Sequence, residues 1–311
     1  MIPTFRNEAS LARCLRGLLA DSSIVSRELI VVDNAGSEPT EQVVAAAAGD
    51  PPFPVRLVRE PRAGSSFARN AGAREARGAY LFFVDDDIVV SDTWADALAQ
   101  GFADERVGLV AGRVLPRWPY EPPAWLRGPA GVRLTLTDFG AANRLLRSDE
   151  RPETANVGVR VAAIPNREHP FETTLGNRGR RQIGSADYRF VDEIRRTHLL
   201  AYAADAVGYH CIEPHRMTMD WLRPTYFDMG IGLYRAELMD GYFPPPILRR
   251  IVRTTRLCRS AHSHRRRNER VERSGPETVE ELLTYQWAGR HAEMLLGRIP
   301  PLRDLVRRVV V

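Results

Sequence analysis

The sequence predicts an α/β protein in which a mixed, mainly parallel sheet is flanked by helices. Two observations lead to this prediction: short β-branched runs alternate with helical patterns through the first 113 residues, and two of these runs end directly at aspartates. From Asp220 onward the pattern is mostly helical, which indicates a C-terminal helical extension. We expect the chain to divide into residues 1–113, 114–215 and 216–311.

The first elements follow from the spacing of apolar residues. Leucines and a cysteine three, four and seven positions apart predict a helix over Glu8–Ala20, and the apolar run Leu29–Val32 predicts a buried strand that ends at Asp33. Only Met1 and Ile2 precede Pro3, although a central strand typically needs about five residues. We therefore expect either a very short first strand or a true start upstream of Met1.

The later elements are predicted in the same way. Five prolines and two tryptophans between Pro116 and Pro129 predict a break in regular structure and a loop. The remaining predicted elements are, in chain order, strands at Val55–Val58 and Tyr80–Val84 with a helix at Ser65–Ala76 between them, then a strand at Thr154–Val161, a helix at Ser185–Arg196, and strands at Leu199–Ala203 and Ala206–His210.

Composition excludes several classes of protein. The 311 residues are 44% hydrophobic and 27% charged, and no apolar run approaches the roughly 20 residues that span a bilayer. We expect a globular protein located in the cytoplasm, with its three well-separated cysteines reduced. The chain contains no lysine, which excludes a Gly-Lys-Ser/Thr phosphate loop and a Schiff-base lysine.

Positive charge is concentrated in one segment. The formal net charge is +5, but Arg249–Arg273 holds ten arginines against two glutamates (net +8), which leaves the rest of the chain at −3. Apolar residues at helical spacing accompany these arginines, as in a helix that lies on a membrane surface, here the inner one. A solvated or oligomeric face is the alternative. The segment lacks aromatic residues for base stacking, so we expect no nucleic-acid partner. The oligomeric state stays open.

Aspartates at the ends of predicted strands are the first candidates for chemistry, because ligands of open α/β sheets bind at the carboxyl ends of strands. Asp33 ends one predicted strand, and Asp85–Asp87 follow another. Three adjacent carboxylates repel one another, and a divalent cation with oxygen ligands, Mg²⁺ or Mn²⁺, would relieve that repulsion. A solvated turn is the alternative interpretation.

Four motifs, in this order and with this spacing, resemble those of family-2 glycosyltransferases: Ile2–Glu8, Ile30–Asn34, Ala68–Gly72 and Phe82–Asp87. The resemblance extends to about residue 240 through Ala155–Gly158, Phe171–Gly176, Gly184–Asp187 and Tyr209–His210. It implies the GT-A type nucleotide-sugar fold. It also implies transfer of a sugar from a nucleotide-diphosphate donor to the hydroxyl of a glycan, a lipid-linked molecule or a small molecule.

The resemblance assigns roles to single residues. It places Asp33 on the nucleotide base, Asp85 on the ribose and Asp87 on a Mn²⁺ or Mg²⁺ ion that bridges the diphosphate, with Asp86 in support. The other implied contacts are Pro3, Thr4, Arg69, Arg216 and Arg223 for the donor, His210 for the metal, and Asn156 and Trp221 for the acceptor. Packing or surface roles are the alternatives for Arg69, His210, Arg216 and Arg223.

Asp187 matches the family's general base, which takes the proton of the acceptor hydroxyl during an inverting transfer. The family usually has Glu-Asp at this point, whereas this chain has Ala186-Asp187. Asp187 would otherwise only favour the dipole of its own helix. Two functions therefore remain open: a metal-dependent, inverting glycosyltransferase, and a non-catalytic nucleotide- or glycan-binding relative that acts as a partner subunit.

Overall fold

The computed structural model describes residues 1–23, 26–179, 181–242, 260, 263, 276–297 and 299–310. The chain forms two compact units. Unit 1 comprises Met1–Arg117, Thr135–Thr173 and Ala186–Ile212, and unit 2 comprises Trp118–Leu134, Thr174–Ser185 and Glu213–Val311. The basic segment Arg249–Arg273, for which membrane contact was predicted, lies outside the described residues apart from Ser260 and Ser263.

The two units do not follow the predicted domain boundaries. The boundary predicted after residue 113 falls inside a strand, Val107–Arg117, that is paired on both sides. The chain leaves unit 1 only at Trp118, in the proline-rich stretch where the sequence predicts a break. The predicted extension from residue 216 lies within unit 2, together with two shorter segments that precede it in the chain.

The first sheet of unit 1 has three parallel strands: β1 (Ile2–Thr4), β2 (Leu29–Asp33) and β3 (Val55–Arg59). β2 lies in the middle, and all five of its residues are buried, which accounts for its uninterrupted apolar run. β1 forms over only three residues, of which Thr4 pairs with Asp33 at the end of β2.

Three helices follow the strands of this sheet. They are α1 (Glu8–Ala20), α2 (Glu38–Ala47) and α3 (Ser65–Glu75). The predicted bounds of α1 are confirmed, and its predicted apolar face is buried at Leu11, Cys14, Leu15 and Leu18.

The second sheet of unit 1 is mixed. Its strand order is β4 (Tyr80–Val84), β8 (Asn156–Arg160), β6 (Val107–Arg117), β11 (Leu199–Cys211) and β5 (Ile88–Val90), and β7 (Arg144–Leu145) also pairs with β11. β6 and β11 are parallel, and the other described pairs are antiparallel. Helices α4 (Trp94–Gln100) and α5 (Ala186–Arg195) complete unit 1. The predicted α/β class is confirmed, with more antiparallel pairing than the sequence indicated.

The two strands predicted at Leu199–Ala203 and Ala206–His210 are one strand, β11. Its pairing with β6 shifts between Ala203, which lies opposite Gly112, and Val207, which lies opposite Arg113. The three residues from 204 to 206 therefore form a bulge, where the exposed Asp205 interrupts the apolar pattern. The strand continues past this bulge to His210.

Strand pairing in unit 1 brings the predicted site residues together. Asp85 follows β4, whose last residue, Val84, pairs with Asn156 at the start of β8. Asp87 precedes β5, whose first residue, Ile88, pairs with His210 on β11. The Asp85–Asp87 turn thus runs from the start of β8 to the end of β11, although these strands lie far from it in the chain.

Unit 2 is mostly helical in its described part. It contains a short hairpin, β9 (Asn177–Arg178) with β10 (Arg181–Gln182), two 3₁₀ turns (Ala124–Arg127 and Pro129–Leu134), and the helices α6 (Met219–Met239), α7 (Pro276–Leu296) and α8 (Pro300–Val310). The predicted C-terminal helical extension is therefore present. Across the described ranges, no helix combines the length and the apolar character needed to cross a bilayer.

Helices α6 and α7 approach each other closely at two glycines. A Cβ atom on Gly230 would lie 1.8 Å from the carbonyl oxygen of Gln286, and one on Gly289 would lie 1.8 Å from the carbonyl oxygen of Phe227. Any side chain at either position would force the two backbones apart. Gly230 therefore has a packing role in this helix.

A buried carboxylate joins three segments of unit 2. Asp228 on α6 is fully buried and accepts hydrogen bonds from Arg181 (2.9 Å), the backbone amide of Gln182 (2.9 Å) and Arg307 on α8 (3.0 Å). A buried charge is tolerated when it is paired and hydrogen-bonded in this way. Asp228 therefore links the hairpin, α6 and α8.

We predict that Asp228→Asn destabilises the protein, because it removes the negative charge that two arginines share while leaving the volume unchanged. The expected loss, measured by urea denaturation, is about 2–3 kcal/mol of unfolding free energy. Both arginines are partly exposed, so this loss is smaller than the full cost of an unpaired buried charge. Asp304→Asn is the matched control: Asp304 also binds Arg181 but its side chain is 42% exposed, so its loss should be small. Equal losses in the two variants would contradict the prediction.

Candidate active site

Four carboxylates and one arginine converge in unit 1. Asp85, Asp86 and Asp87 form the turn between β4 and β5, and Asp187 lies in the first turn of α5. The arginine is Arg69 on α3, and its side chain is 8% exposed. The cluster therefore carries an excess of negative charge.

Arg69 bridges two of these carboxylates. Its Nη2 donates to Asp85 Oδ1 (2.8 Å), and its Nη1 lies 3.6 Å from Asp187 Oδ1. The guanidinium carbon also lies 5.7 Å from the centre of the Phe171 ring. Burial lowers the pKa of Arg69, but the charges of Asp187 and Asp85 outweigh burial and raise it. Arg69 thus holds the turn after β4 and the start of α5 together.

Asp86 points toward the end of β1. Thr4 Oγ1 donates to its Oδ2 (2.7 Å) and Asn7 Nδ2 donates to its Oδ1 (2.9 Å). Loss of water contact and the neighbouring charge of Asp87 raise the pKa of Asp86 to about 7, although both hydrogen bonds favour the ionised form. Loss of water contact also raises the pKa of Asp85, and Arg69 opposes that rise. Burial is thus the main reason that both carboxyl groups hold a proton more readily than usual.

Asp87 faces His210. The distance from Asp87 Oδ2 to His210 Nε2 is 3.1 Å, and the His210 side chain is 2% exposed. The backbone amide of Cys211 also donates to the Asp87 carbonyl (3.0 Å), which holds the turn against β11. The sequence-predicted pair is therefore in contact.

These residues fit a divalent cation that needs further ligands. Carboxylate oxygen and neutral imidazole suit Mn²⁺, and the surplus carboxylate charge would be relieved by a cation. Within the described residues, no group of three or more His, Cys, Asp or Glu side chains is arranged to hold a metal ion. Asp87 and His210 would supply two ligands, and a bound diphosphate could supply others, as is usual for Mg²⁺ at phosphate sites.

Thr154 contacts the predicted base. Its Oγ1 donates a hydrogen bond to Asp187 Oδ1, and Thr154 itself is fully buried just before β8. Both the threonine and the arginine contact the same oxygen, Oδ1 of Asp187. The Asp187 side chain is 22% exposed, so the carboxylate remains open to solvent.

Asp33 is the last residue of β2. Its side chain is fully buried, and its carboxylate accepts hydrogen bonds from the backbone amides of Ala35 (2.9 Å), Gly36 (3.1 Å) and Ser37 (2.8 Å). These amides lie in the turn before α2, so Asp33 closes this turn. The Asp33 carboxylate thus has backbone amides as partners, and its contact with the nucleotide base stays a prediction.

Asn156 is also buried. Only 1% of it is exposed, its Nδ2 donates to the carbonyls of Arg113 (3.0 Å) and Ala206 (2.9 Å), and its Oδ1 accepts from Trp94 Nε1 (2.8 Å). These bonds tie β6, β8, α4 and the bulge in β11 together. The Asn156 amide is therefore enclosed within the sheet, and its acceptor contact stays a prediction.

Three predicted contacts lie in unit 2. Arg223 is 3% exposed and pairs with the fully buried Glu281 on α7 (2.8 Å), so its position is that of a packing residue between helices. The guanidinium carbon of Arg216 lies 5.8 Å from the centre of the Trp221 ring, and both residues are partly exposed. Pro3, by contrast, lies half-buried in β1 of unit 1.

Unit 1 contains a cavity of about 560 Å³. Its wall includes Phe171, whose ring also contacts Arg69, and Phe190, which lies one helical turn after Asp187 on α5. Polar groups from α3 and α5, including Asn70 and Arg189, complete part of the lining. The cavity and the predicted base thus share a helix.

Sequence reasoning missed Thr154, Asn7 and this cavity. Asn7 lies within the motif Ile2–Glu8, so its polar side chain after β1 was an available signal. Thr154 carried a weaker one, a hydroxyl at the first residue of the predicted strand Thr154–Val161. The cavity had none, since its lining comes from separate segments.

Comparison with known proteins identifies the family of the N-terminal half. The sequence profile of "Glycosyl transferase family 2" matches residues 1–155. Two similar curated proteins are the succinoglycan biosynthesis protein ExoM of Rhizobium meliloti, 25% identical over 71% of this chain and 69% of that protein, and the glycosyltransferase AglE of Haloferax volcanii, 26% identical over 77% and 74%. The resemblance seen in the motifs is confirmed.

Solved structures confirm the GT-A fold. The mannosyltransferase PcManGT of Pyrobaculum calidifontis, in complex with GDP-Man and Mn²⁺, aligns with a TM-score of 0.57 at 18% identity, over 97% of this chain and 86% of that one. TarS 1-349 of S. aureus, in complex with UDP-GlcNAc, aligns with a TM-score of 0.52 at 15% identity, over 99% and 86%. At this level of identity the likeness is one of fold.

We predict that Asp86 contributes more to the stability of the metal-free protein as the pH falls from about 7 to about 4. In this range folded Asp86 holds a proton that an unfolded aspartate, with an ordinary pKa near 4, has already lost. The contribution of Asp86 to the unfolding free energy should therefore decrease with rising pH, by at most about 1.4 kcal/mol per pH unit. The buried amino group of Met1, whose pKa is lowered to about 5 by loss of water contact, contributes in the opposite direction between about pH 5 and pH 8.

Urea denaturation at several pH values, with a chelator present, tests this prediction. The difference in unfolding free energy between the original protein and Asp86→Asn should shrink as the pH rises from about 4 to about 7. Asp92→Asn, a substitution of an exposed aspartate, should leave the pH dependence unchanged. Parallel curves for the original protein and Asp86→Asn would contradict it.

Proposed function

Because residues 1–155 of this chain form a glycosyl transferase family 2 domain, we propose that the protein is a metal-dependent, inverting enzyme. It moves a sugar from a nucleotide-diphosphate donor to a hydroxyl group of an acceptor. The observation that carries this proposal is the Arg69 bridge, because it couples Asp85 on the donor side to Asp187, the base.

Asp187 takes the proton of the acceptor hydroxyl. The hydroxyl oxygen attacks the anomeric carbon from the face opposite the diphosphate, a new glycosidic bond forms, and the bond to the diphosphate breaks. Thr154 and Arg69 both use Oδ1 of Asp187, which leaves Oδ2 as the oxygen that accepts the proton. Thr154 is therefore a positioning residue, and its hydroxyl fixes the direction of Oδ2.

Asp87 and His210 would hold the divalent cation, Mn²⁺ or Mg²⁺. When bound, the cation would neutralise charge on the departing diphosphate. Asp86, held by Thr4 and Asn7, keeps the turn in place beside them. The solved relatives crystallised with GDP-Man and Mn²⁺ or with UDP-GlcNAc support a nucleotide-sugar donor here.

The acceptor enters from the cavity beside α5. This cavity borders Phe190, which lies on the same face of the helix as Asp187 three positions earlier. Its volume of about 560 Å³ is in the range of small-molecule sites, and its mixed polar and aromatic lining suits a hydroxyl-rich molecule. The acceptor is a glycan, a lipid-linked molecule or a small molecule.

The partner-subunit alternative rests on Ala186, which stands where the family usually has a glutamate. Ala186 is 1% exposed at the start of α5, so this position carries no carboxylate toward the cluster. Asp187 alone then has to act as base. Nucleotide binding without turnover would favour the alternative.

We predict that one of UDP, GDP, dTDP and CDP stabilises the protein against thermal unfolding, and only with Mn²⁺ or Mg²⁺ present. A ligand at about 100 times its dissociation constant adds about 2.7 kcal/mol. Asp87→Ala and His210→Ala should lose the metal-dependent shift, whereas Asp92→Asn should keep it. Stabilisation that is equal without metal, or equal in Asp87→Ala, would refute the metal site.

We predict that Asp187→Asn lowers the rate of diphosphate release from the stabilising donor about 10²–10⁴-fold, because it removes the base. Metal-dependent binding of the nucleotide should persist. Thr154→Val should lower kcat with little change in the donor KM, and Thr154→Ser should restore it, since serine supplies the same hydroxyl. Undiminished turnover in Asp187→Asn would exclude Asp187 as the base, and no turnover in the unaltered protein despite nucleotide binding would favour the partner subunit.

A further inference from the structure

Helix α8 packs onto unit 2 through its charged side. Arg303 is 8% exposed and donates to Glu293 on α7 (3.0 Å), and Arg307 donates to the fully buried Asp228 (3.0 Å). Asp304 accepts from Arg181 (2.7 Å) and from Arg303 (3.0 Å). The side of the helix that faces the protein is therefore built from ion pairs.

The opposite side of α8 is apolar and exposed. Leu302 is 45% exposed and Leu305 is 54% exposed, and Ile299, just before the helix, is 49% exposed. At 100° per residue, Leu302 and Leu305 lie roughly opposite Arg303 and Arg307 on the helix. An amphipathic helix of a globular protein normally turns its apolar stripe toward the core. In α8 this orientation is reversed: the charged side faces the protein and the apolar side faces solvent.

The charges beside this apolar face are positive. Arg308 is exposed on its flank, and the acidic residue of the helix, Asp304, is engaged by two arginines. The segment Arg249–Arg273, outside the described residues, adds ten arginines and two glutamates to the same unit. An apolar stripe with basic flanks matches an anionic lipid surface.

We propose that the exposed face of α8, formed by Ile299, Leu302 and Leu305, docks the protein onto an anionic membrane surface. The helix lies in the plane of the interface, with its leucines among the lipid chains and Arg308 at the headgroups. The ion pairs to Asp228 and Glu293 hold it on the protein with that face outward. This role is separate from sugar transfer.

Two other occupants fit the charges less well. A second copy that covered the same face by twofold symmetry would bring the Arg308 flanks of both copies together. The segment Arg249–Arg273 would place further arginines against the same flank. Repulsion between arginines opposes both arrangements, whereas a phosphate-rich surface attracts the arginines.

Co-sedimentation of the full chain with vesicles tests the proposal. The vesicles consist of phosphatidylcholine alone or of phosphatidylcholine with phosphatidylglycerol, and we expect binding mainly to the second. Replacing both leucines, Leu302→Ser with Leu305→Ser, should weaken this binding at least about tenfold. Each substitution removes the favourable free energy of moving a leucine side chain from water into lipid. Serine adds no charge, so the effect would report apolar contact.

A matched variant controls for the loss of two exposed apolar side chains. Val132→Ser with Leu145→Ser removes residues that are each 49% exposed elsewhere in the protein, and it should bind the vesicles as the original does. Circular dichroism and thermal unfolding check that both double variants are folded. Should the α8 double variant unfold, Leu305→Ser alone provides the comparison.

Three results would overturn the proposal. The α8 variant could bind anionic vesicles as tightly as the original, which would assign the attachment to other residues. The original protein could fail to bind them at all. Sedimentation equilibrium could also reveal an original dimer that the α8 variant abolishes, which would make the face a contact between copies.

Discussion

The buried guanidinium of Arg69 is the group on which the candidate active site depends. A charge with so little access to water needs close partners, and removing one partner of such a pair typically costs about 3–5 kcal/mol. Arg69 finds its partners in Asp85, after β4, and Asp187, at the start of α5. The same contact therefore stabilises unit 1 and sets the spacing between the proposed ribose-binding carboxylate and the proposed base.

Around Arg69, acidic side chains outnumber basic ones. Arg69 contacts two of the four carboxylates. Loss of water contact, together with the charge of Asp87, raises the pKa values of Asp85 and Asp86. Backbone and hydroxyl donors hold these side chains in place but do not neutralise them. A site of this kind favours a substrate that binds together with a cation. A diphosphate leaving group needs such a positive charge as it departs. Asp87 and His210 lie where such a charge would enter.

Much of this was accessible from the sequence, and the failures have a common physical origin. Helix α1 and strands β2 and β4 follow from local periodicity, and the motif order located Asp85, Asp87, Asp187 and His210. Thr154 and the cavity depend on which segments meet after folding. Asn156 and Asp33 lie in the predicted motifs, but most of their partners are backbone amides and carbonyls, which a sequence pattern does not reveal. The inverted orientation of α8 likewise depends on Asp228, 79 positions earlier in the chain.

The turn that Asp33 closes affects how donor preference could be re-engineered. Its carboxylate satisfies three amides at the start of α2, next to the central strand of the first sheet. A library that varies Asp33 in search of a new nucleotide would thus mainly select for chains that still fold, and its survivors would be uninformative about base choice. Better positions for such a library are those near the turn whose side chains reach solvent and make no hydrogen bond to the backbone.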